Sequence, residues 1–378
     1  MSKDVMTAEE RIVATINLEP VDRVVCAPLI EQYAGQFAGI TNKEFNWDWN
    51  KCLASIDKVK EAYPIWDSNA YMQQLRYGPV AKVVGSMRCK YPGVELADND
   101  QYQMVEFEAM TREDYNILKE RGSGEYRLIF LERAHIKTRE EVLEGIKLAA
   151  EIRKKELEAT LRRSQSATWG SFAGVIPFDT LSMSRSMEKF YKDMYQMADE
   201  LQELLWICCD GTVEAAVKGI EATGINRVFI GGVRCSGQFI SKKNYERFGH
   251  PYLKSIVTRL AEKNIVPILH FDSDWTQNLE TFLDLPAKKF VLELDSATDI
   301  FKAHDILKGH CAIKGDVSAG LFTVASPNEV DEYAKKLFST FKNGEGFLYS
   351  SGCTVPMNSK HENVKAFFDA VEKYGRYN

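Results

Sequence analysis

The chain has 378 residues, 48 basic against 54 acidic side chains for a formal charge of −6, and 45% hydrophobic content. Such a composition buries a large core, which excludes disorder, collagen-like repeats and small disulfide scaffolds. The mild acidity excludes a nucleic-acid-binding face, since phosphate backbones demand clustered Lys and Arg. No apolar run reaches the roughly 18 residues of a membrane span.

At about 150 residues per domain the length suggests two or three domains, although an α/β barrel of about 250 residues counts as one. The cluster Arg153-Lys154-Lys155 with Arg162-Arg163 alternates with acids and reads as a solvated helix face. Met1-Ser2-Lys3-Asp4 carries charge and no apolar signal core, so a cytoplasmic location is expected. The eight cysteines, at 26, 52, 89, 208, 209, 235, 311 and 353, form no C-x-x-C pair. In a reducing compartment most are expected to be buried thiols, with metal binding or catalysis the exception.

Thr7-Ala8-Glu9-Glu10 is a capping-box pattern ahead of Ile12, Val13 and Ile16 and predicts an opening helix. Strands are predicted over 24–30, 65–72, 167–175, 227–232, 266–272, 289–295, 311–316 and 346–352. Residues 74–110, with Gly78-Pro79 and Pro92-Gly93, read as a β-hairpin excursion. A long helix, charged on one face, is predicted over 138–163, and Cys208-Cys209 lie in an apolar helix around Leu204, Leu205 and Trp206. Helical periodicity follows over 241–263, 298–308, 327–342 and 360–375, the third opening at Ser326-Pro327. Strand–helix alternation implies parallel strands with crossover helices. Eight such strands suggest a closed (β/α)₈ TIM barrel, an α/β fold. An open doubly wound sheet is the alternative, but no Gly-rich dinucleotide turn follows the first strand. Residues 1–378 are therefore read as one decorated barrel, with an N-terminal helix and lead-in over 1–23.

In a barrel, functional residues gather at the C-terminal strand ends. Here those ends carry Glu31, Arg234, Cys235, His270, Asp272, Asp295, Asp316 and Cys353. Polar residues are also common there because loops begin there. In His270-Phe271-Asp272-Ser273-Asp274-Trp275, residues two apart share one side of the strand, so His270 and Asp272 face the mouth while Phe271 packs outward. Both are acceptable zinc ligands. The plain alternative is a His–Asp hydrogen bond capping the strand. Cys353, within Ser350-Ser351-Gly352-Cys353-Thr354-Val355-Pro356, is positioned by a tight turn. With His270 and Asp272 it would complete three protein ligands and leave a fourth position open, the arrangement of a catalytic zinc. The alternative is an inert packed thiol. The fifth and eighth strands are not neighbours, so the loops must lean over the mouth for the three to meet.

Cys235 is a substitute ligand or a pocket wall. Asp295 and Asp316 are candidates to orient His270 or protonate a leaving group, against plain roles in capping a loop and closing the Gly315-Asp316 turn. Glu31, Arg234 and the aromatic Tyr33, Phe37, Trp66 and Trp275 are candidates to hold a substrate. The early aromatics, with Trp47, Trp49 and Tyr71, line a flat apolar pocket or pack an N-terminal cap.

Several motifs carry a family resemblance. Glu10-Arg11 with Ile16-Asn17-Leu18-Glu19-Pro20-Val21-Asp22-Arg23-Val24 resembles the start of the uroporphyrinogen decarboxylase superfamily. So do Leu292-Glu293-Leu294-Asp295 with Thr298-Asp299-Ile300, Lys314-Gly315-Asp316-Val317, and Ser351-Gly352-Cys353-Thr354-Val355-Pro356 with Glu362-Asn363-Val364. The resemblance runs nearly end to end, is densest over 220–375, and implies a TIM barrel. The true decarboxylases of the superfamily carry an Arg-rich N-terminal loop. The corresponding Ile30-Glu31-Gln32-Tyr33-Ala34-Gly35-Gln36-Phe37 has no arginine, so a poly-anionic porphyrinogen finds no counter-charge there.

The chain is more similar to the cobamide-dependent methyltransferase branch, whose thiol-methylating members use His-x-Cys and a later Cys as zinc ligands. Here the first pair is His270-Phe271-Asp272 and the later Cys maps to Cys353. Replacing a thiolate by a carboxylate gives a harder site, better matched to oxygen. The His-Phe-Asp-Ser-Asp-Trp version looks like the subgroup associated with corrinoid-dependent O-demethylation of methoxylated aromatics.

The resemblance therefore implies zinc and a partner corrinoid (cobalamin) protein. A phenyl methyl ether would be the substrate and Asp295 or Asp316 the proton donor; assembly with copies of itself stays open. A second reading reverses the direction, giving methyl from methyl-corrinoid to tetrahydrofolate or a thiol. A third is a non-catalytic corrinoid- or porphyrin-binding protein.

Overall fold

The computed structural model describes residues 4–69, 77–163, 166–344 and 346–377. The opening helix, Ala8–Ile16, forms where its cap demands it. The Thr7 hydroxyl accepts from the Glu10 N–H, and the Glu10 carboxylate accepts from the Thr7 N–H. Among the described residues the strands are β1 (Val25–Cys26), β2 (Ser68–Asn69), β3 (Arg88–Lys90), β4 (Gln103–Val105), β5 (Ala167–Thr168), β6 (Ser171–Val175), β7 (Arg227–Gly232), β8 (Val266–Phe271), β9 (Val291–Leu294), β10 (Ala312–Val317) and β11 (Phe347–Ser351).

Seven of them make one sheet in the order β1-β11-β10-β9-β8-β7-β6, with every pairing parallel. The ring closes through β2 and β5. The Asp67 N–H donates to the Cys26 carbonyl at 2.8 Å, the Ala167 N–H donates to the Asp67 carbonyl at 2.8 Å, and β2 pairs with β5 in parallel. With β5 and β6 as two halves of one run, eight positions surround the axis, and the fold is an α/β TIM barrel.

The barrel's N-terminal end is solid. Val25, Phe229, Ile268, Val291 and Leu348 fill the interior, and Ala8, Ile12 and Ile16 of the opening helix cover them. That helix is tied to the barrel by charge. The Asp67 carboxylate, fully buried, accepts from Arg11 (2.6 Å), twice from Arg23 (2.6 and 2.8 Å) and from the Cys26 N–H (2.9 Å).

Several predicted elements are reshaped, each for a local reason. The strand expected over 24–30 keeps ladder pairing only at Val25–Cys26 and a lone bridge at Leu29, because Pro28 has no N–H to donate. The strand expected over 65–72 is Ser68–Asn69, and residues 70–72 lie outside the described residues. The run over 167–175 breaks after Thr168, where the Arg227 guanidinium takes the carbonyls of Thr168 and Trp169. It resumes with a bulge between Phe172 and Gly174.

The excursion over 74–110 opens with a helix, and its first residues, 74–76, lie outside the described residues. Gly78-Pro79, read as a turn, starts the helix Gly78–Val84, where proline suits the first turn. Only β3 and β4 form the antiparallel pair. The helix expected over 241–263 is two helices, Lys242–Phe248 and His250–Glu262, meeting at Gly249. A Cβ there would stand 2.4 Å from the Cys235 Sγ. Among the described residues, no helix is long and apolar enough to cross a membrane.

Candidate metal centre

Strand register places the site. His270 pairs with Glu293, and Glu293 with Lys314, so these three stand at one level of the barrel interior. Two residues further along stand Asp272, Asp295 and Asp316: Asp272 lies beside His270, Asp295 reaches the Ser273 N–H, and Asp316 accepts from Tyr333 of the helix Pro327–Thr340. Above the apolar plug, three adjacent strands and their ends thus carry two titratable groups each.

His270 is almost fully buried. Its Nε2 faces outward, 3.2 Å from Asp272 Oδ1 and 3.9 Å from the Cys353 Sγ. One ligand atom from each of the three residues lies within 4.8 Å of the others, and Cys353 is exposed at the mouth. Bond lengths of about 2.0–2.3 Å in a tetrahedron place ligand atoms about 3.3–3.6 Å apart. The observed separations are compatible with one zinc ion, which His270, Asp272 and Cys353 would hold together.

Glycine lets the eighth strand position reach the fifth. A Cβ on Gly352 would meet the Asp295 backbone at 2.7–2.8 Å. Without one, the Cys353 turn presses onto the end of β9 and donates its Gly352 N–H to the Val317 carbonyl at 2.9 Å. On the other side, Asp295 accepts from the Ser273 N–H (2.8 Å), and the Trp275 indole N–H donates to the Asp272 carbonyl (2.8 Å). The loop bearing Asp272 is therefore held from both ends.

Electrostatics divide the acids. Burial pushes Asp316 up to about 6, although the Tyr333 hydroxyl donates to it at 2.7 Å. Burial also raises Asp295, with Asp272 adding to the effect. Glu293 goes the other way. Burial alone would raise it, but Lys314 and His270 outweigh burial and hold it at about 2.

Sequence reasoning gave Glu293 and Lys314 no role of their own, yet both are fully buried. The Lys314 Nζ is 2.5 Å from Glu293 Oε1, which is also 3.2 Å from His270 Nδ1. The available signal was a charged residue at an inward position of an apolar barrel strand. Asp179 was missed too. It is buried, raised to about 6 by that burial, and accepts the Val233 and Arg234 N–H groups that begin the loop after β7.

The remaining candidates sit further out or deeper. Trp275 is fully buried, stacked 4.2 Å from Phe271, and offers no face to a bound ring. Cys235 is buried against Gly249 and Tyr245 in the helical layer, where burial drives its thiol well up, so it is neither a mouth wall nor a spare ligand. Tyr33 is buried with its hydroxyl on His361 Nδ1 (2.9 Å), Phe37 packs edge-on to His361, and Trp66 lies in the main core. Tyr33 and Phe37 thus join the N-terminal segment to the last helix. Tyr71 lies outside the described residues. Glu31 is buried just before the helix Gln32–Ala38. Arg234 donates to the Ser182 carbonyl and sits 3.2 Å from Glu106, beside the hairpin.

A family model described as uroporphyrinogen decarboxylase (URO-D) matches residues 137–374, more than half of the chain. The chain belongs to the uroporphyrinogen decarboxylase family. Curated relatives of this URO-D family member come from two kinds of protein. It is 27% identical over 143 residues to a uroporphyrinogen decarboxylase of Pseudoalteromonas atlantica, covering 36% of this chain and 39% of that protein. It is 24% identical over 233 residues to the methylcobamide:CoM methyltransferase MtbA of Methanosarcina acetivorans, covering 62% of this chain and 63% of that protein. The match thus spans less than two thirds of either relative's length. Its fold is similar to that of a methyltransferase from Methanosarcina mazei, with a TM-score of 0.67 at 19% identity, over 98% of this chain and 99% of that one.

Proposed function

We propose that this chain is the substrate-side methyltransferase of a corrinoid O-demethylase system, taking a methyl group from a methoxylated aromatic to the cobalt(I) of a partner corrinoid protein. The carrying observation is the convergence of His270, Asp272 and Cys353 at the barrel mouth. One imidazole, one carboxylate and one thiolate suit zinc, and the carboxylate makes the set harder than a two-thiolate site. Bound there, zinc supplies Lewis acidity that favours departure of an oxygen leaving group.

The chain's own groups supply the rest. Asp295 and Trp275 hold the Asp272 loop in place. Asp316, raised to about 6, keeps a protonated fraction near neutral pH and is the proton source for the departing phenolate. The open mouth beside exposed Cys353 is where the corrinoid-carrying partner docks.

The test incubates the protein with a reduced corrinoid protein and a panel of methoxyaromatics, reading conversion of cobalt(I) to methylated cobalt(III). Conversion with an ether supports the proposal. No conversion with any ether, together with demethylation of the methylated corrinoid by tetrahydrofolate or a thiol, replaces it with the reverse transfer. The similarity to a methylcobamide:CoM methyltransferase favours that second reading.

A further inference from the structure

The barrel interior holds an ion pair that stability does not call for. Glu293 and Lys314 are each fully buried, their charged atoms 2.5 Å apart, and the Trp169 indole N–H donates to the second Glu293 oxygen at 3.3 Å. A buried pair of this kind costs desolvation that its attraction barely repays, and apolar residues of equal volume are often as stable. Its position is more telling. Glu293 Oε1 is 3.2 Å from His270 Nδ1, while His270 Nε2 points the opposite way, toward Asp272 and Cys353.

We infer that Glu293 and Lys314 are positioning residues for the metal ligand His270. The inference rests on the zinc reading above. An imidazole that ligates through Nε2 must carry its proton on Nδ1, and a carboxylate behind the ring selects that tautomer and fixes its rotation. Lys314 completes the device. It neutralises Glu293, so the carboxylate orients the ring without adding net charge beneath a dication. A zinc ion would itself be balanced by the Asp272 carboxylate and a Cys353 thiolate, so the ligand set and the ion pair behind it would each come out neutral. The Glu293–Lys314 pair serves orientation, while His270, Asp272 and Cys353 serve ligation.

The test measures zinc affinity against a chromophoric chelator and the visible spectrum of the cobalt(II)-substituted protein. The wild type is compared with Glu293→Gln and with the double variant Glu293→Gln, Lys314→Met. The double variant strands no buried charge, and its fold is checked by circular dichroism and thermal unfolding. Both variants are expected to bind zinc about 10–100-fold more weakly, with cobalt bands displaced from the wild-type positions. A folded double variant with wild-type affinity and spectrum overturns the inference. If only the single variant were weakened, its effect would be repulsion by a stranded lysine, which also overturns it. A wild type that takes up no zinc or cobalt fails the metal reading itself, a different result from either.

Discussion

Asp316 titrates where its burial can be measured as stability. It is 3% exposed and its carboxyl is raised to about 6, against about 3.9 for an ordinary aspartate. A raised acid favours the protonated folded state. Its contribution is therefore fully present below about pH 4 and is lost as pH rises through about 6. Two units at about 1.4 kcal/mol each make that loss about 3 kcal/mol at pH 7.5. Asp316→Asn keeps an oxygen for the Tyr333 hydroxyl and removes the charge. It should match the wild type near pH 4 and exceed it by up to about 3 kcal/mol at pH 7.5. In a chain of this length that is a rise of about 4 °C in melting temperature. Urea and thermal unfolding of chelator-treated protein at the two pH values measures the difference. Tyr333→Phe removes a donor to the charged form, so it should raise the Asp316 carboxyl further and enlarge the loss of stability between the two pH values. A stability difference between Asp316→Asn and wild type that is the same at both pH values would refute the reasoning.

Three further outcomes are expected from the site and its supports. His270→Ala, Asp272→Ala and Cys353→Ala should each lower zinc occupancy at similar folded yield, measured by elemental analysis; full zinc in Asp272→Ala would remove Asp272 from the ligand set. Gly352→Ala drives a Cβ into the Asp295 backbone and should cost about 1–3 kcal/mol while also weakening zinc binding, because it displaces the Cys353 turn; unchanged affinity would dissociate the two loops. Asp67→Ala strands the Arg11 and Arg23 guanidinium groups in the sealed end and should cost about 3–5 kcal/mol in urea unfolding, with a loss under about 1 kcal/mol counting against a structural role for the network.

The strands of the second half were legible because each is a short, largely apolar run of the kind a buried parallel strand requires, broken only by single polar residues. Val266–Phe271 and Val291–Leu294 fall within a residue or two of the expected limits. The first half was harder to read because side chains take over the work of the ladder there. The Asp67 carboxylate and the Arg227 guanidinium both claim backbone partners, and no period-two pattern records that. Gly78-Pro79 shows the other limit, since the same dipeptide opens a turn or a helix according to its downstream neighbours.

At the site, the alternation His270-Phe271-Asp272 placed two candidate ligands on one face without help from tertiary structure. What brings Cys353 to them is a missing side chain at Gly352 pressed on a distant backbone, a contact invisible in linear spacing. Trp275 and Cys235 misled because proximity in sequence to a strand end says nothing about which side of the layer a side chain enters.

The helix Ala8–Ile16 closes one end of the barrel beneath a packed interior, and that has a kinetic consequence. A site with a floor has one doorway. In the proposed reaction the aromatic ether must settle before a macromolecular partner covers that doorway, and the phenol leaves only after the partner withdraws. The order of addition and release is then set by architecture. Saturating corrinoid protein should slow turnover at low ether concentration, because a partner that arrives first blocks the way in.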